Sequence, residues 1–377
     1  MKICGVTAEY NPFHEGHAYH IAKAKEITGA DALVVVMSGH FVQRGEPAVF
    51  DPYARAEAAL KGGADAVFMM PPEASTSSAE GFAGYGVGLL DRLGCDCISC
   101  GIEPGSSVEK ITETGEMLAE ETQEFSEQMK LLMKTGISYP EAMARALNTE
   151  QVGPNTLLAI EYVKAMKRIG SRMDFIPLTR VGAAYDDNQL HDDGFPSATA
   201  LRRALLKDEK SRYVYPEKKY TENRPLCPLG PDDFLPEIIN SIQRSSDPEQ
   251  YLDVDEAIAA RLRKTEFHYH SFEEMVRDIK TKEYTYTRIA RALIHIYLEI
   301  REHTKEITNA QLIGFRNTGV LTEINNRSGV EIISKAADHK DDLKSSARAA
   351  ALYNQVYWKK YGEELPNFYR QKIVRLN

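Results

Sequence analysis

The sequence predicts an open, parallel α/β sheet over roughly its first 200 residues, followed by a mostly helical C-terminal part. Three observations lead there. Short apolar runs alternate with helical patterns up to residue 200. Those runs are apolar at nearly every position, as strands are when both sheet faces are covered. A Pro- and charge-rich stretch over 207–233 then interrupts the alternation, and long helical patterns dominate beyond it. With 377 residues the chain exceeds what one core usually organises.

The elements follow in order. ICGVTAEY, ALVVVMS, DAVFMMP, CDCISCG and MDFIPLTR are the expected strands. HAYHIAKAKEIT, PYARAEAALKGG and GFAGYGVGLLDRLG between them carry helical spacing, the last two closing on glycine as helices often do. From 107 to 170 the pattern is helical, with SVEKITETGEMLAEE, EFSEQMKLLMKTG and NTLLAIEYVKAMKRIG as helices. Past the interruption, YTYTRIARALIHIYLEI is a further helix, while NAQLIGFRNTG and GVEIIS are strand-like inserts. The expected division is 1–207 as a catalytic domain, 208–233 as a linker and 234–377 as a mostly α-helical domain. No internal repeat or low-complexity tract is present.

Composition excludes several classes. No apolar stretch reaches the roughly 20 residues of a spanning helix, and MKICGV has no signal-peptide pattern, so the expected location is the cytoplasm. Five cysteines, an odd number, with Cys95, Cys97 and Cys100 crowded on one probable strand, do not make a disulfide framework. CDCISC lacks a second CxxC or a histidine pair, so buried small residues explain it better than zinc. The net charge of −9 excludes a broadly basic coat, yet its distribution is uneven. After residue 280 there are 16 Lys and Arg against 11 Asp and Glu, a local +5 that leaves −14 for the rest. A basic end fits either a polyanion partner or a solvated face.

In such sheets ligands bind beyond the carboxyl ends of the strands, so the loops after the first, second and fourth predicted strands are where chemistry is expected. The first of them is NPFHEGHAYH. A helix starting near Gly16 or His17 leaves its first backbone N–H groups unpaired, and its dipole favours an anion. Gly16 has no side chain to keep a phosphate from the backbone. His14 and His17 flank it as hydrogen-bond donors for a displacement at phosphorus, and Asn11 either binds the same phosphates or braces the turn. Histidines that merely cap a helix are the competing reading. A second candidate is FPSATALRRAL, where a helix after Pro196 brings Ser197, Thr199 and their amides to phosphate oxygens, with Arg202 or Arg203 one turn on to hold pyrophosphate.

His14-Glu15-Gly16-His17 resembles the HxGH form of the HIGH signature of the nucleotidyltransferase and class I aminoacyl-tRNA synthetase superfamily. That resemblance implies a Rossmann-like nucleotidyltransferase domain that splits ATP between its α and β phosphates. AEYNPFHEGHAYHI, VVVMSGHFVQRGEPAVFDPYARAEAAL, the GxE at Gly101 to Glu103, PNTLLAIEYVKA, IPLTRVGAAYDD and SATALRRAL together resemble the bacterial tRNA(Met) cytidine acetate ligase family. The likeness covers the first 205 residues most strongly, and IGFRNTGVLTEI extends it. It implies a reaction in which acetate and ATP form acetyl-adenylate and pyrophosphate, after which the acetyl group passes to N4 of the wobble cytidine of elongator tRNA(Met). It also implies an ATP-binding loop of Thr7, Ala8, Glu9, Tyr10, Asn11, Pro12, Phe13, His14, Glu15, Gly16, His17, Ala18, Tyr19 and His20, with Gly101, Asn155 and Arg180 as further nucleotide contacts. Magnesium is implied by pyrophosphate departure, not by a ligand motif.

Further residues are expected from position alone. Ser38, His40, Gln43 and Arg44, on the loop after the second strand, are candidates for acetate capture or a lid. Arg288, Arg291 and His295 fall at i, i+3 and i+7 as a basic stripe for a tRNA backbone. Lys344, Arg348, Lys359 and Lys360 form a second basic group, with the aromatics of YWKKY either stacking on bases or packing inward. A small-molecule adenylyltransferase and a binding module without chemistry also fit. The extra C-terminal 150 residues weigh against the first, and HxGH together with SATALRR against the second.

Overall fold

The structure, a computed structural model, describes every residue except 121–126, 128, 130, 133–140, 143–144, 146–152, 181–194, 208–226, 305 and 377. The helix expected at 124–136, VGAAYDD of the resemblance and most of the expected linker lie largely outside the described residues.

All five apolar runs that predict strands contain strand, seven strands in total. β1 is Ile3–Ala8, β2 Ala32–Ser38, and a two-residue hairpin pair, β3 Phe41–Val42 and β4 Glu46–Pro47, follows in the next loop. β5 is Ala66–Met70. CDCISCG yields only the short β6 Cys97–Ile98 and β7 Gly101–Ile102, and MDFIPLTR splits into β8 Asp174–Phe175 and β9 Leu178–Thr179. β1 pairs with β2 in parallel over all six of its residues, β2 with β5 over five, and β1 with β6 on its other side. Alternation across the sheet explains the continuous apolar runs. Val34 and Val36 of β2 enter one core cluster, Leu33, Val35 and Met37 the opposite one, and all five are fully buried. Cys4, Cys95, Cys97 and Cys100 are buried and unbridged, as small core residues.

The helices α1 Glu15–Thr28, α2 Pro52–Lys61, α3 Pro72–Ser75, α4 Ala79–Arg92, α5 Val108–Glu120, α6 Pro154–Ile169 and α7 Ala198–Leu206 connect these strands. Their ends are written locally. Asp51 accepts from the backbone N–H groups of Tyr53 and Ala54 ahead of Pro52, and α1 and α6 stop at Gly29 and Gly170, both with positive φ.

The second half carries α8 Leu235–Arg244, α9 Glu256–Leu262, α10 Phe272–Ile279, α11 Tyr286–Leu298, α12 Thr318–Arg327 and α13 Lys344–Tyr361. All but α12 pack around one apolar cluster that also takes in Phe41. The strand-like inserts are strands, and they return to the first sheet. β10 Asn309–Phe315 lies antiparallel to β5, and β11 Glu331–Ile333 and β12 Val374–Arg375 pair with β10. The sheet order is therefore β11-β10-β5-β2-β1-β6-β8, parallel except at the β5/β10 seam. The apolar NAQLIGF covers what would otherwise be an open β5 edge.

Candidate active site

The turn after β1 carries its chemistry through α1. His14 is the N-cap. Gly16 N–H donates to His14 Nδ1 at 3.1 Å, and His14 N–H donates to His17 Nδ1 at 3.2 Å, a reciprocal capping box built from two imidazoles. The rings stack at 3.7 Å, and Tyr10 and Phe13 pack on His17 at 4.8 and 5.6 Å. Because each Nδ1 accepts, each neutral ring carries its proton on Nε2. Burial, reinforced by Arg180 and Arg202, pushes the His14 pKa down to about 3, and burial with His14 holds His17 well below the ordinary range. Burial and Arg180 bring His20 to about 4, and its Nε2 lies 3.4 Å from Ser99 Oγ. The site therefore presents neutral Nε2–H donors, not imidazolium ions. A Cβ on Gly16 would lie 2.9 Å from His14 Cε1, so this glycine makes room for the stacked ring.

The rest of the loop is braced. Thr7 Oγ1 donates to the Tyr162 hydroxyl, and Asn11 Oδ1 accepts from Val49 N–H at 2.7 Å while its Nδ2 has no partner among the described residues. Pro12, after a cis bond, and Phe13 are buried. Ala8 and Ala18 are half-buried, Glu15 and Tyr19 are exposed, and Tyr19 meets Phe195 at 5.6 Å. Glu9 Oε1 accepts from Gln43 N–H at 2.9 Å.

Two further walls approach this turn. From α7, Arg202 donates to Asn11 O at 2.6 Å and to Thr199 Oγ1 at 3.2 Å, so its guanidinium joins the helix to the loop. Ser197 differs from expectation. It is buried, and its oxygen accepts from Ala200 N–H at 3.0 Å as the α7 N-cap, which makes Arg202 the residue that reaches the loop. On the other side, the parallel pairing of β7 with β9 sets Gly101 beside Arg180, whose stem occupies the space a Cβ on Gly101 would need. Arg180 NH1 donates to Asn155 Oδ1 at 3.0 Å, and Asn155 is held by Glu103.

The loop after β2 is a wedge and not a free lid, a correction to the sequence reading. Phe41 is fully buried against Phe234, Tyr297 and Tyr353 of the helical cluster, and Ser75 Oγ donates to its carbonyl. Gly45, at φ 75°, lies so close to α11 that a Cβ would sit 2.3 Å from Arg291 N. Ser38 is fully buried with no partner for Oγ among the described residues. His40 is buried, 3.9 Å from Asp51 Oδ2, and burial with Arg55 pushes its pKa to about 3. Of the four candidates on this loop, Gln43 and Arg44 are the half-exposed ones.

Sequence reading missed Arg55 and the work of Glu103. The Arg55 guanidinium is buried and donates to the carbonyls of Phe50, Glu9 and Gly39, stitching the loops after β1 and β2 together. A lone arginine inside the alanine-rich PYARAEAAL was the available signal.

The basic stripe on α11 is only partly a surface, open at Arg288 and closed at His295. His295 is fully buried, with Nδ1 2.9 Å from Leu252 O and Nε2 3.1 Å from Thr76 O. Arg291 pairs with Asp253 at 3.0 Å, and Arg288 pairs with Asp255 at 3.1 Å over the Tyr284 ring. The i, i+3, i+7 spacing does put them on one face, but that face packs on the 251–255 segment and on Thr76. Lys344, Arg348, Lys359 and Lys360 are exposed, the last three paired with Glu299, Glu237 and Asp233. Trp358 is exposed, whereas Tyr357 belongs to the helical core.

Residues 1–366 match the family model described as HIGH Nucleotidyl Transferase. The tRNA(Met) cytidine acetate ligase of Caldicellulosiruptor saccharolyticus is 35% identical over 334 residues, 85% of this chain and 83% of that one. The ligase of the same description from Caldicellulosiruptor bescii is 34% identical over 95% of this chain and 94% of its own. The chain belongs to the HIGH nucleotidyl transferases and, among them, to the tRNA(Met) cytidine acetate ligase family. Its fold agrees, since the crystal structure of Thermotoga maritima TmcAL superposes with a TM-score of 0.85 at 25% identity, covering all of both chains. A second crystal form of that protein, bound with alpha-thio ATP, gives 0.83 at 24% identity. Among the described residues no helix is long and apolar enough to cross a membrane.

Proposed function

We propose that this protein is a cytoplasmic enzyme that activates acetate with ATP and passes the acetyl group to N4 of the wobble cytidine of elongator tRNA(Met). The observation that carries the reading is the pair of stacked, neutral imidazoles at the α1 N-terminus, with Arg202 on one side and the Asn155–Arg180 arm on the other. In the first step an acetate oxygen attacks the α-phosphorus and the bond to the β-phosphate breaks, releasing pyrophosphate. A carboxylate is already a nucleophile, so the protein's task is positioning and neutralisation of charge. Neutral Nε2–H donors at His14 and His17 serve this over the whole physiological range, because they need no protonation. Arg202 and Arg180 supply the fixed positive charge.

Asn11 Nδ2 and Ser38 Oγ, buried polar atoms without partners among the described residues, together with Gln43 and Arg44, are our candidates for the acetate side. Magnesium would be carried by phosphate oxygens and water, since no cluster of three His, Cys, Asp or Glu ligands occurs among the described residues. In the second step the cytidine amine attacks the acetyl carbon and AMP leaves. We assign tRNA docking to the helices of 234–377 and their exposed Lys344, Arg348, Trp358 and Lys359, since the strands of that segment belong to the sheet.

Acetate-dependent exchange between ATP and pyrophosphate, measured without RNA, tests the first step, and transfer of labelled acetate to tRNA tests the second. AMP transfer to a small phosphate ester with no acetate-dependent exchange would replace the proposal by an adenylyltransferase.

A further inference from the structure

Glu103 sits one residue beyond β7, at the carboxyl end of the two-stranded β7–β9 sheet. Its carboxylate faces the N-terminus of α6, whose own N-cap residue, Gly153, has no side chain to close the helix. Glu103 Oε1 accepts from Asn155 N–H at 2.9 Å and Asn155 Nδ2 at 2.8 Å. Its Oε2 accepts from Thr156 N–H at 2.6 Å and from the Thr156 hydroxyl. A carboxylate offers about four lone-pair sites. All four are engaged, so this acid has no acceptor left for a ribose hydroxyl.

Two neighbours are shaped around the arrangement. A Cβ on Gly153 would lie 2.5 Å from the Glu103 carboxyl carbon, and a Cβ on Gly101 would lie 3.0 Å from the Arg180 stem. Burial opposes the charge on Glu103, but the bonds from Thr156 and Asn155 outweigh it and hold the carboxyl below its ordinary range. The group is therefore an anion fixed at the positive end of a 16-residue helix. Its effect does not stop there. With Nδ2 fastened to Glu103, the Asn155 amide is oriented with Oδ1 outward, and that oxygen receives Arg180 NH1 at 3.0 Å. A backbone bond from Arg180 N–H to Ile102 O at 2.9 Å fixes the base of the same side chain.

We infer that Glu103 is a positioning residue for nucleotide binding, acting through Asn155 on the Arg180 guanidinium. This rests on the reading above, in which Asn155 and Arg180 meet the nucleotide. Replacing the carboxylate by an amide keeps the volume but turns one acceptor into an NH₂ that faces N–H donors, so the amide of Asn155 turns and Arg180 loses its orientation.

The test is a double-mutant cycle on ATP affinity, measured by calorimetry on the full chain without acetate. Glu103→Gln is expected to weaken ATP binding at least tenfold and to raise the KM for ATP while leaving the KM for acetate within twofold. In an Arg180→Ala background, which itself weakens binding, the same change should cost less than twofold more. Thr156→Val, which removes a cap bond but leaves Asn155 in place, is expected to lower thermal stability and leave ATP affinity unchanged. Independent, multiplying effects of Glu103→Gln and Arg180→Ala would overturn the inference, as would ATP affinity within twofold of wild type in Glu103→Gln. No effect of Arg180→Ala on ATP would instead sink the nucleotide reading itself, and the inference with it. Should Glu103→Gln not fold, Glu103→Asp, which keeps the charge but withdraws the carboxylate from Asn155, takes its place against Arg180→Ala, and multiplying effects there overturn the inference equally.

Discussion

Gly16→Ala separates what the turn does for folding from what it does for chemistry. Gly16 is the second residue of α1, where alanine favours the helix over glycine by about 0.5–1 kcal/mol. Its Cβ would stand 2.9 Å from His14 Cε1 and 3.0 Å from Nδ1. Carbon atoms prefer about 3.5 Å or more, so the ring must retreat by roughly 0.6 Å, lengthening the cap bond and opening the stack on His17. A lost cap contributes about 1 kcal/mol against folding, which offsets the propensity gain. Stability is thus expected to change by less than about 1 kcal/mol. The donors at His14 and His17 leave their positions, however, and a displacement approaching 1 Å costs on the order of 10²-fold in rate. Acetate-dependent ATP–pyrophosphate exchange should fall by roughly 10- to 100-fold. Gly84→Ala is the control, because a Cβ there meets nothing within 4 Å. Exchange within threefold of wild type in Gly16→Ala, at an unchanged melting temperature, would refute the argument that this glycine exists to seat the His14 ring.

Two other expectations follow from the same geometry. Burial first, and nearby arginines second, lower His14 and His40 to about 3, and His20 to about 4, from an unfolded value near 6.5. The unfolded chain therefore binds more protons between these values, so stability present above pH 6.5 is lost as pH falls toward 4. The thermal midpoint should drop steadily over that window, and a midpoint constant from pH 7 to 4 would contradict the burial of these rings. Phe41→Ala removes a fully buried ring from the helical core and should cost about 3–5 kcal/mol in guanidinium unfolding. It should also lower exchange in the folded fraction, because the hairpin that carries Gln43 loses its anchor. A loss below about 1 kcal/mol would show that the hairpin is not wedged as described.

Much of this architecture was legible in the residues. The continuous apolar runs of β1, β2 and β5 announced a sheet covered on both sides, and HxGH after the first strand announced the turn into α1 where the two imidazoles stack. What escaped was tertiary. NAQLIGF reads as a strand, but its sequence does not say that it crosses back to pair with β5. The α11 stripe shows why spacing alone misleads, since of Arg288, Arg291 and His295 the last is buried on Thr76 and both arginines are ion-paired to the 251–255 segment. Ser197 caps a helix and Gly16 clears space for a ring, where the sequence suggested phosphate contacts for both. Glu103 was visible only as part of a motif, because its partners lie more than 50 residues away in the chain.

The antiparallel seam between β5 and β10 bears on how a ribosome delivers this molecule. Residues 66–70 emerge about 240 residues before the strand that flanks them, and Arg327 closes on the carbonyl of Met1 only later still. During synthesis the N-terminal half must wait with one sheet margin bare, a state that invites pairing with a neighbouring nascent chain. Completing that margin takes β10 from the far part of the chain, so the sheet closes only after most of the helical segment has been made.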